Sequence, residues 1–151
     1  MYRGANLLTV DVKGRVAMPA RYRQSLLDAS SGQMIITANF ERCLLLYPLP
    51  VWLEIERKLL TLPDVHAQSA GLKRLLVGHA TEVEMDKQGR LLLPPVLRDY
   101  AQLSREVMLV GRINGFELWD EAAWNAQRDQ FLAGTRDGKF DLPAGFGDLT
   151  L

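Results

Sequence analysis

Asp11-Val12-Lys13-Gly14-Arg15-Val16-Ala17-Met18-Pro19 and Asp86-Lys87-Gln88-Gly89-Arg90-Leu91-Leu92-Leu93-Pro94 are two versions of one phrase, 75 residues apart in a chain of 151. The register holds around them. Laying 5–23 on 80–98 gives six identities in 19, the outer ones being Ala5 with Ala80 and Arg23 with Arg98. A later echo sets Leu46-Tyr47 and Trp52 against Leu118-Trp119 and Trp124 at an offset of 72. Self-similarity at a long, fixed offset means that one supersecondary unit is used twice.

Within each unit the pattern is that of short strands and short helices. Leu8 and Val10 alternate with polar residues as in a half-buried strand. A turn follows at 12–14, where Gly14 suits a positive φ and the side chain of Asp11 can cap the loop. Residues 15–18 resume as a strand, which predicts a hairpin. Pro19 ends that strand and suits the first turn of a helix over 20–27, closed by Ser31-Gly32. Residues 34–37 and 44–47 predict a second strand pair, and Pro48 and Pro50 open a helix running to about residue 62. The second unit predicts strands at 81–85, 90–93, 107–110 and 116–119, a short helix at 95–100 and a longer one from near Asp120. One more helix fits 69–77, between the units. The Gly- and Asp-rich tail from Gly134 is expected to be poorly ordered. The resulting division is a first module at 1–53, a helical linker at 54–79, a second module at 80–125, and a helix end with tail at 126–151. Modules this short bury little surface alone. Two that interleave their hairpins share one core, which predicts an α+β particle with a pseudo-two-fold axis.

Composition narrows the function classes. Apolar residues make up 48% of the chain, enough for a packed core. No stretch reaches the 18 or more apolar residues of a membrane span, and Met1-Tyr2-Arg3-Gly4 opens onto no apolar signal core. Cys43 is the only cysteine, so neither an internal disulfide nor a Cys-based zinc site can form. These features predict a cytoplasmic protein with no membrane partner. The formal net charge is zero, but residues 1–76 carry 10 Lys and Arg against 6 Asp and Glu, and 77–151 carry 8 against 12. A basic end on a neutral chain is an electrostatic footprint for phosphate or, more plainly, a solvated face.

The candidate site is the pair of turns. Lys13 and Arg15 project from a tight loop, and arginine there can chelate guanine or grip phosphate. Sequence alone does not choose between the two. Asp11 and Asp86 are expected to organise the turns, with Gly14 and Gly89 supplying the backbone freedom, because a carboxylate facing DNA would repel it. Arg3, Arg21 and Arg23 are candidate phosphate contacts. Arg90 is a weaker one, since Gln88 stands where Lys13 does and Glu82 and Glu84 precede it. A turn cap plus an ion pair is the better account of a single, isolated Asp-x-x-Gly-Arg. His66 and His79 lack metal-ligand spacing and are expected to be structural, Cys43 to be a buried apolar group, and Trp52, Trp119 and Trp124 to be core. There is no GxxxxGK[ST] or GxSxG motif, so neither enzyme, metal nor cofactor is expected.

The doubled Asp-x-x-Gly-Arg-(apolar)3-Pro pattern resembles the MraZ family of transcriptional regulators. Met1-Tyr2-Arg3-Gly4-Ala5, Leu44-Leu45-Leu46-Tyr47-Pro48, Leu75-Leu76-Val77-Gly78-His79-Ala80 and Phe116-Glu117-Leu118-Trp119-Asp120 extend the likeness over about 1–133. Tyr2 stands where the family commonly has Phe, and the tail after Ala133 is less like it. The resemblance implies two tandem AbrB-like swapped-hairpin β-barrel modules. It also implies a homo-oligomeric ring on short direct repeats of promoter DNA, and repression of its own gene and the following division and cell-wall cluster, hence a nucleoid-associated protein. A small-molecule effector is not expected. Two other classes compete. An antitoxin of this module type resembles one module with a long acidic tail, unlike the doubled module here. A structural ring without DNA sits poorly with the basic N-terminus.

Overall fold

The computed structural model describes residues 1–147 and residue 149; the expected tail therefore includes Asp148, Thr150 and Leu151, which lie outside the described residues. The first of two compact units, Met1–Glu121, holds both copies of the repeat. It contains β1 (Ala5–Thr9), β2 (Arg15–Ala17), α1 (Ala20–Ser30), β3 (Gln33–Ala38), β4 (Leu44–Pro48), α2 (Leu49–Leu60), α3 (Ala67–Leu76), β5 (Thr81–Glu84), β6 (Arg90–Leu92), α4 (Pro95–Tyr100), β7 (Glu106–Gly111) and β8 (Phe116–Asp120). The second unit, Ala122–Leu151, carries α5, whose helix spans Glu121–Gly134, and no further helix or strand among the described residues. The α+β class and the doubled module are as the sequence predicts. The expected boundaries at 53/54 and 125/126 fall inside α2 and α5.

Prolines set the helix starts. Pro19, Pro48 and Pro94 each stand at an N-cap with extended backbone, and Pro50 and Pro95 occupy the first turns of α2 and α4. α1 runs three residues beyond its predicted end and closes through Ser31 at φ 55°, whose N–H reaches the carbonyls of Leu26 and Leu27.

The strands flanking each turn do not form a hairpin with each other, contrary to the sequence expectation. They part after a single closing bond, Asp11 N–H to Arg15 O at 2.9 Å, matched by Asp86 N–H to Arg90 O at 2.9 Å. β1 pairs antiparallel with β7, Ala5 opposite Val110 through Thr9 opposite Glu106. β5 pairs with β3, and β2 pairs with β6. Each first strand thus joins the other copy's sheet. A lone hairpin is marginal in water, whereas a strand added to a wider sheet satisfies its ladder against a covered face. The sheet order is β1-β7-β8-β4-β3-β5, which reads the same after exchanging the two copies. Among the described residues it ends on β1 and β5 and closes no barrel.

One core serves both copies. Val16 and Leu91 are fully buried, as are Met18 and Leu93, Ile36 and Leu109, and Leu46 and Leu118. Tyr2, Tyr22 and Phe116 stack at one end of that core, with centroids 4.6–6.0 Å apart. Trp52 and Trp119 are buried as expected, whereas Trp124 is only half-buried. Cys43 is buried, and burial pushes its thiol up to about 12. His79 Nδ1 lies 2.8 Å from the Leu75 carbonyl, and His66 is the N-cap of α3. No helix of the described residues is long and apolar enough to cross a membrane.

Candidate nucleic-acid interface

The two turns are built alike to a tenth of an ångström. Asp11 Oδ1 accepts from the backbone N–H groups of Lys13 (2.9 Å) and Arg15 (2.8 Å), and Oδ2 accepts from Arg15 Nε (2.8 Å). Asp86 does the same with Gln88 (2.9 Å), Arg90 (2.8 Å) and Arg90 Nε (2.8 Å). The backbone N–H of Arg15, foremost, holds the Asp11 carboxyl below its ordinary value, and that of Arg90 does so for Asp86. Gly14 and Gly89 take φ of 87° and 78°, a region open to glycine at no steric cost. The Asp and Gly residues of the pattern are therefore turn-makers, and each Asp orients an arginine by its Nε; among the described residues the outer guanidinium nitrogens of Arg15 have no partner, whereas Arg90 Nη2 donates to Gln88 Oε1 at 3.3 Å.

The β2–β6 ribbon sets the two arginines in one plane. Val16 and Leu91 point into the core, so Arg15, Ala17, Arg90 and Leu92 share the opposite, outward face. Arg15 is opposite Leu92 and Ala17 is opposite Arg90. The two arginines are thus offset by two residues along the ribbon, about 7 Å. Cross-ties hold the turns together: Met18 N–H donates to Gly89 O at 2.8 Å, and Leu93 N–H to Gly14 O at 2.9 Å.

The basic residues redistribute in space. Arg23 does not join the first turn. It lies over the second, where a Cβ on Gly89 would stand 2.9 Å from its guanidinium carbon, and its Nε donates to Met18 O at 2.8 Å. Arg98 takes the equivalent place over Gly14, again 2.9 Å from a Cβ position, and its buried Nε has no hydrogen-bond partner among the described residues. The first turn therefore gathers Lys13, Arg15 and Arg98, and the second gathers Lys87, Arg90 and Arg23. Glu84 serves both sides: with Glu82 it lines a cleft of about 510 Å3 beside Lys13 and Arg98, and without Glu82 one of about 240 Å3 beside Arg23 and Lys87. The sequence weights the first turn over the second; in space each turn has three cations beside it. Arg98 and Lys87 were missed by linear reading, although the offset of 75 already paired Arg98 with Arg23.

Arg3 and Arg21 stand elsewhere, at the start of β1. Arg21 Nη2 donates to Asn6 Oδ1 and Tyr22 Oη at 2.8 Å each, its guanidinium carbon lies 4.8 Å from the Tyr22 ring centroid, and the Tyr22 hydroxyl donates to Arg3 O. No hydrogen bond or ion pair among the described residues ties either to the 11–15 turn.

A repeated pair of Asp-capped turns on one ribbon, inside two tandem modules, is matched by the family described as "MraZ protein, putative antitoxin-like" over residues 1–75 and 76–138. The chain belongs to the MraZ family. Proteins named Transcriptional regulator MraZ from Halorhodospira halophila and Shewanella violacea are 47% and 50% identical to it over the full length of both chains. The one from Shewanella amazonensis is 54% identical over 84% of each. The two segments matched by the MraZ pattern meet at 75/76, so the family's own division falls at the end of α3 and gives each segment one Asp-capped turn.

Proposed function

We propose that the chain is a sequence-specific, double-stranded-DNA-binding repressor that presents the β2–β6 ribbon to the major groove. The observation that carries this reading is the placement of Arg15 and Arg90 on one outward face, each oriented by an Asp-capped turn. Their offset of about 7 Å along the ribbon matches two base steps of B-DNA, also about 7 Å. A two-stranded ribbon is narrow enough to enter the major groove. Lys13, Lys87, Arg23 and Arg98 flank the pair as phosphate contacts, which position a protein without reading sequence. Arg3 and Arg21 are outlying phosphate contacts at most.

In this reading the exchanged first strands make the unit a swapped-hairpin module of the AbrB-like type. The chain forms a homo-oligomeric ring whose ribbons engage short direct repeats at its own promoter. It represses its own gene and the division and cell-wall cluster that follows, and it resides in the cytoplasm on the nucleoid. Support comes from the family membership, from the relatives' name of transcriptional regulator, and from the matched turns.

The test is a titration of DNA from upstream of its own gene with one, two and three repeats. Tandem repeats should bind far more tightly than one through effective concentration, and affinity should fall with salt at a log–log slope of roughly −0.9 per neutralised phosphate. Equal affinity for scrambled DNA, or a flat salt response, overturns the reading.

A further inference from the structure

The two-fold likeness of the ribbon fails in its apolar side chains. Within 11–18 and 86–93 the exposed large apolar residues are Val12, fully exposed, and Leu92, 56% exposed. Both belong to the Arg15 end. Val12 stands in its turn, and Leu92 is its direct partner across the ribbon. Their counterparts at the offset of 75 are Lys87 and Ala17. Arg90 is therefore opposite Ala17, and its Nη2 donates to Gln88 Oε1 at 3.3 Å. One end of the ribbon sets its arginine with leucine and valine; the other sets its arginine with alanine, glutamine and lysine.

Leu92 stands on the face that the proposed function turns toward DNA. It alternates with the fully buried Leu91 and Leu93, so its side chain points outward with that of Arg15. It lines the cleft that holds Lys13 and Arg98. Glu82 and Glu84 line that cleft as well, but they belong to β5 rather than to the ribbon. Directly opposed side chains on a ribbon have Cβ atoms about 4.5–5.5 Å apart, and base pairs are spaced about 3.4 Å apart. Leu92 therefore falls roughly one to two base steps from the base that Arg15 meets. In the major groove the apolar group on a base edge is the C5-methyl of thymine, which apolar side chains contact.

We propose that Leu92 is a specificity-determining residue that packs on the C5-methyl of a thymine near the guanine read by Arg15. This rests on the ribbon-in-groove reading of the proposed function and adds a base to it. The Arg90 end carries no such side chain: Ala17 stops at its Cβ, and Lys87 and Gln88 end in polar groups. The ribbon thus reads unlike sequences at its two ends in spite of its pseudo-two-fold build. Each copy of the chain then prefers one direction on its repeat. Repeats laid head to tail suit such a reader, whereas a symmetric ribbon would serve either direction equally.

The test uses DNA from upstream of the chain's own gene, with thymine replaced by uracil at one position of the repeat at a time. Uracil pairs as thymine does and lacks only the methyl. Fluorescence anisotropy compares the wild type with Leu92→Ala and Leu92→Met. Alanine stands at the equivalent position 17, so the ribbon accepts it. At one position uracil should weaken wild-type binding roughly fourfold per repeat, as loss of one buried methyl does. Leu92→Ala should bind the thymine DNA more weakly by a similar factor and lose nothing further with uracil. Leu92→Met keeps an apolar tip and should keep the sensitivity. Replacing a guanine should cost all three proteins the same factor. A wild type that binds specifically but ignores every uracil overturns this inference and leaves the proposed function standing. So does a Leu92→Ala that stays as sensitive to uracil as the wild type. A Leu92→Ala that loses the guanine preference as well would show that Leu92 shapes the ribbon instead of reading a base, and overturns the inference too. A wild type that does not distinguish this DNA from scrambled DNA overturns both.

Discussion

Arg98 closes over the turn of the other copy: a Cβ on Gly14 would stand 2.9 Å from its guanidinium carbon, and Arg23 repeats the relationship at Gly89. Each Asp-capped turn is therefore completed by an arginine 84 residues further on in one case and 66 residues earlier in the other. The pairing of β2 with β6, one strand from each copy, and the cross-ties Leu93 N–H to Gly14 O and Met18 N–H to Gly89 O bring this about, so the cations of each turn belong to both copies.

Arg98→Ala and Arg23→Ala should each weaken DNA binding nearly uniformly across sequences and reduce the salt slope by about 1, as loss of a phosphate contact does. Fluorescence anisotropy at several salt concentrations measures this. If Arg98→Ala leaves both affinity and slope unchanged, that arginine only braces the turn.

Gly14→Ala and Gly89→Ala should destabilise the fold by similar amounts. A side chain at φ near +80° costs about 1–2 kcal/mol, and each added Cβ would also displace the arginine packed over it. Urea denaturation reads the loss. A wild-type midpoint for either variant would show that the turn tolerates a Cβ.

Much of this was legible in the sequence, and the reasons differ by element. The turns are local: Asp11 reaches only to Arg15, so residue types at fixed spacing determine them. Helix starts are equally local because proline fixes its own backbone. Strand partners are not. Leu8 pairs with Val107, and nothing within β1 distinguishes that partner from β2. The same limit hid the cation clusters, because Arg98 and Gly14 meet only once β2 pairs with β6. Periodicity also left Trp124 in the core, where the structure leaves it half-buried.

Asp11→Asn with Asp86→Asn should remove part of the acid sensitivity of the fold. Both carboxyls are held below the ordinary Asp value of about 3.9, chiefly by the backbone N–H groups of Arg15 and Arg90. Groups depressed in this way stabilise the fold above that value and lose the contribution as pH falls through their lower folded-state values. Wild type should therefore exceed the double variant in melting temperature at neutral pH and converge with it in strong acid. Parallel pH profiles would contradict this.

Cys43 should resist thiol reagents in the native protein at neutral pH. Burial pushes its thiol up to about 12, and only thiolate reacts. Labelling by a chromogenic disulfide should appear in step with unfolding in denaturant. Rapid stoichiometric labelling of the folded chain would show that the site opens.

The last prediction compares the two central arginines. Sequence position favours Arg15, with Lys13 beside it, over Arg90, which has Gln88 beside it and the acidic β5 before it. In space the Asp-centred hydrogen bonds of the two turns match, each turn gathers three cations, and Glu84 borders both, although Arg90 Nη2 alone also donates to its neighbour, Gln88 Oε1. Arg15→Ala and Arg90→Ala should then cost comparable specific affinity, roughly 1–3 kcal/mol per site if each is bidentate to guanine, without changing the oligomer. Arg15→Lys and Arg90→Lys should recover part of the binding but little of the sequence preference, since an ammonium cannot form the paired contact. Titrations against matched and mutated repeats, with a sizing run for each variant, decide it. A tenfold or greater disparity between the two alanine variants would mean that only one end of the ribbon reads bases, the other end then serving the turn alone.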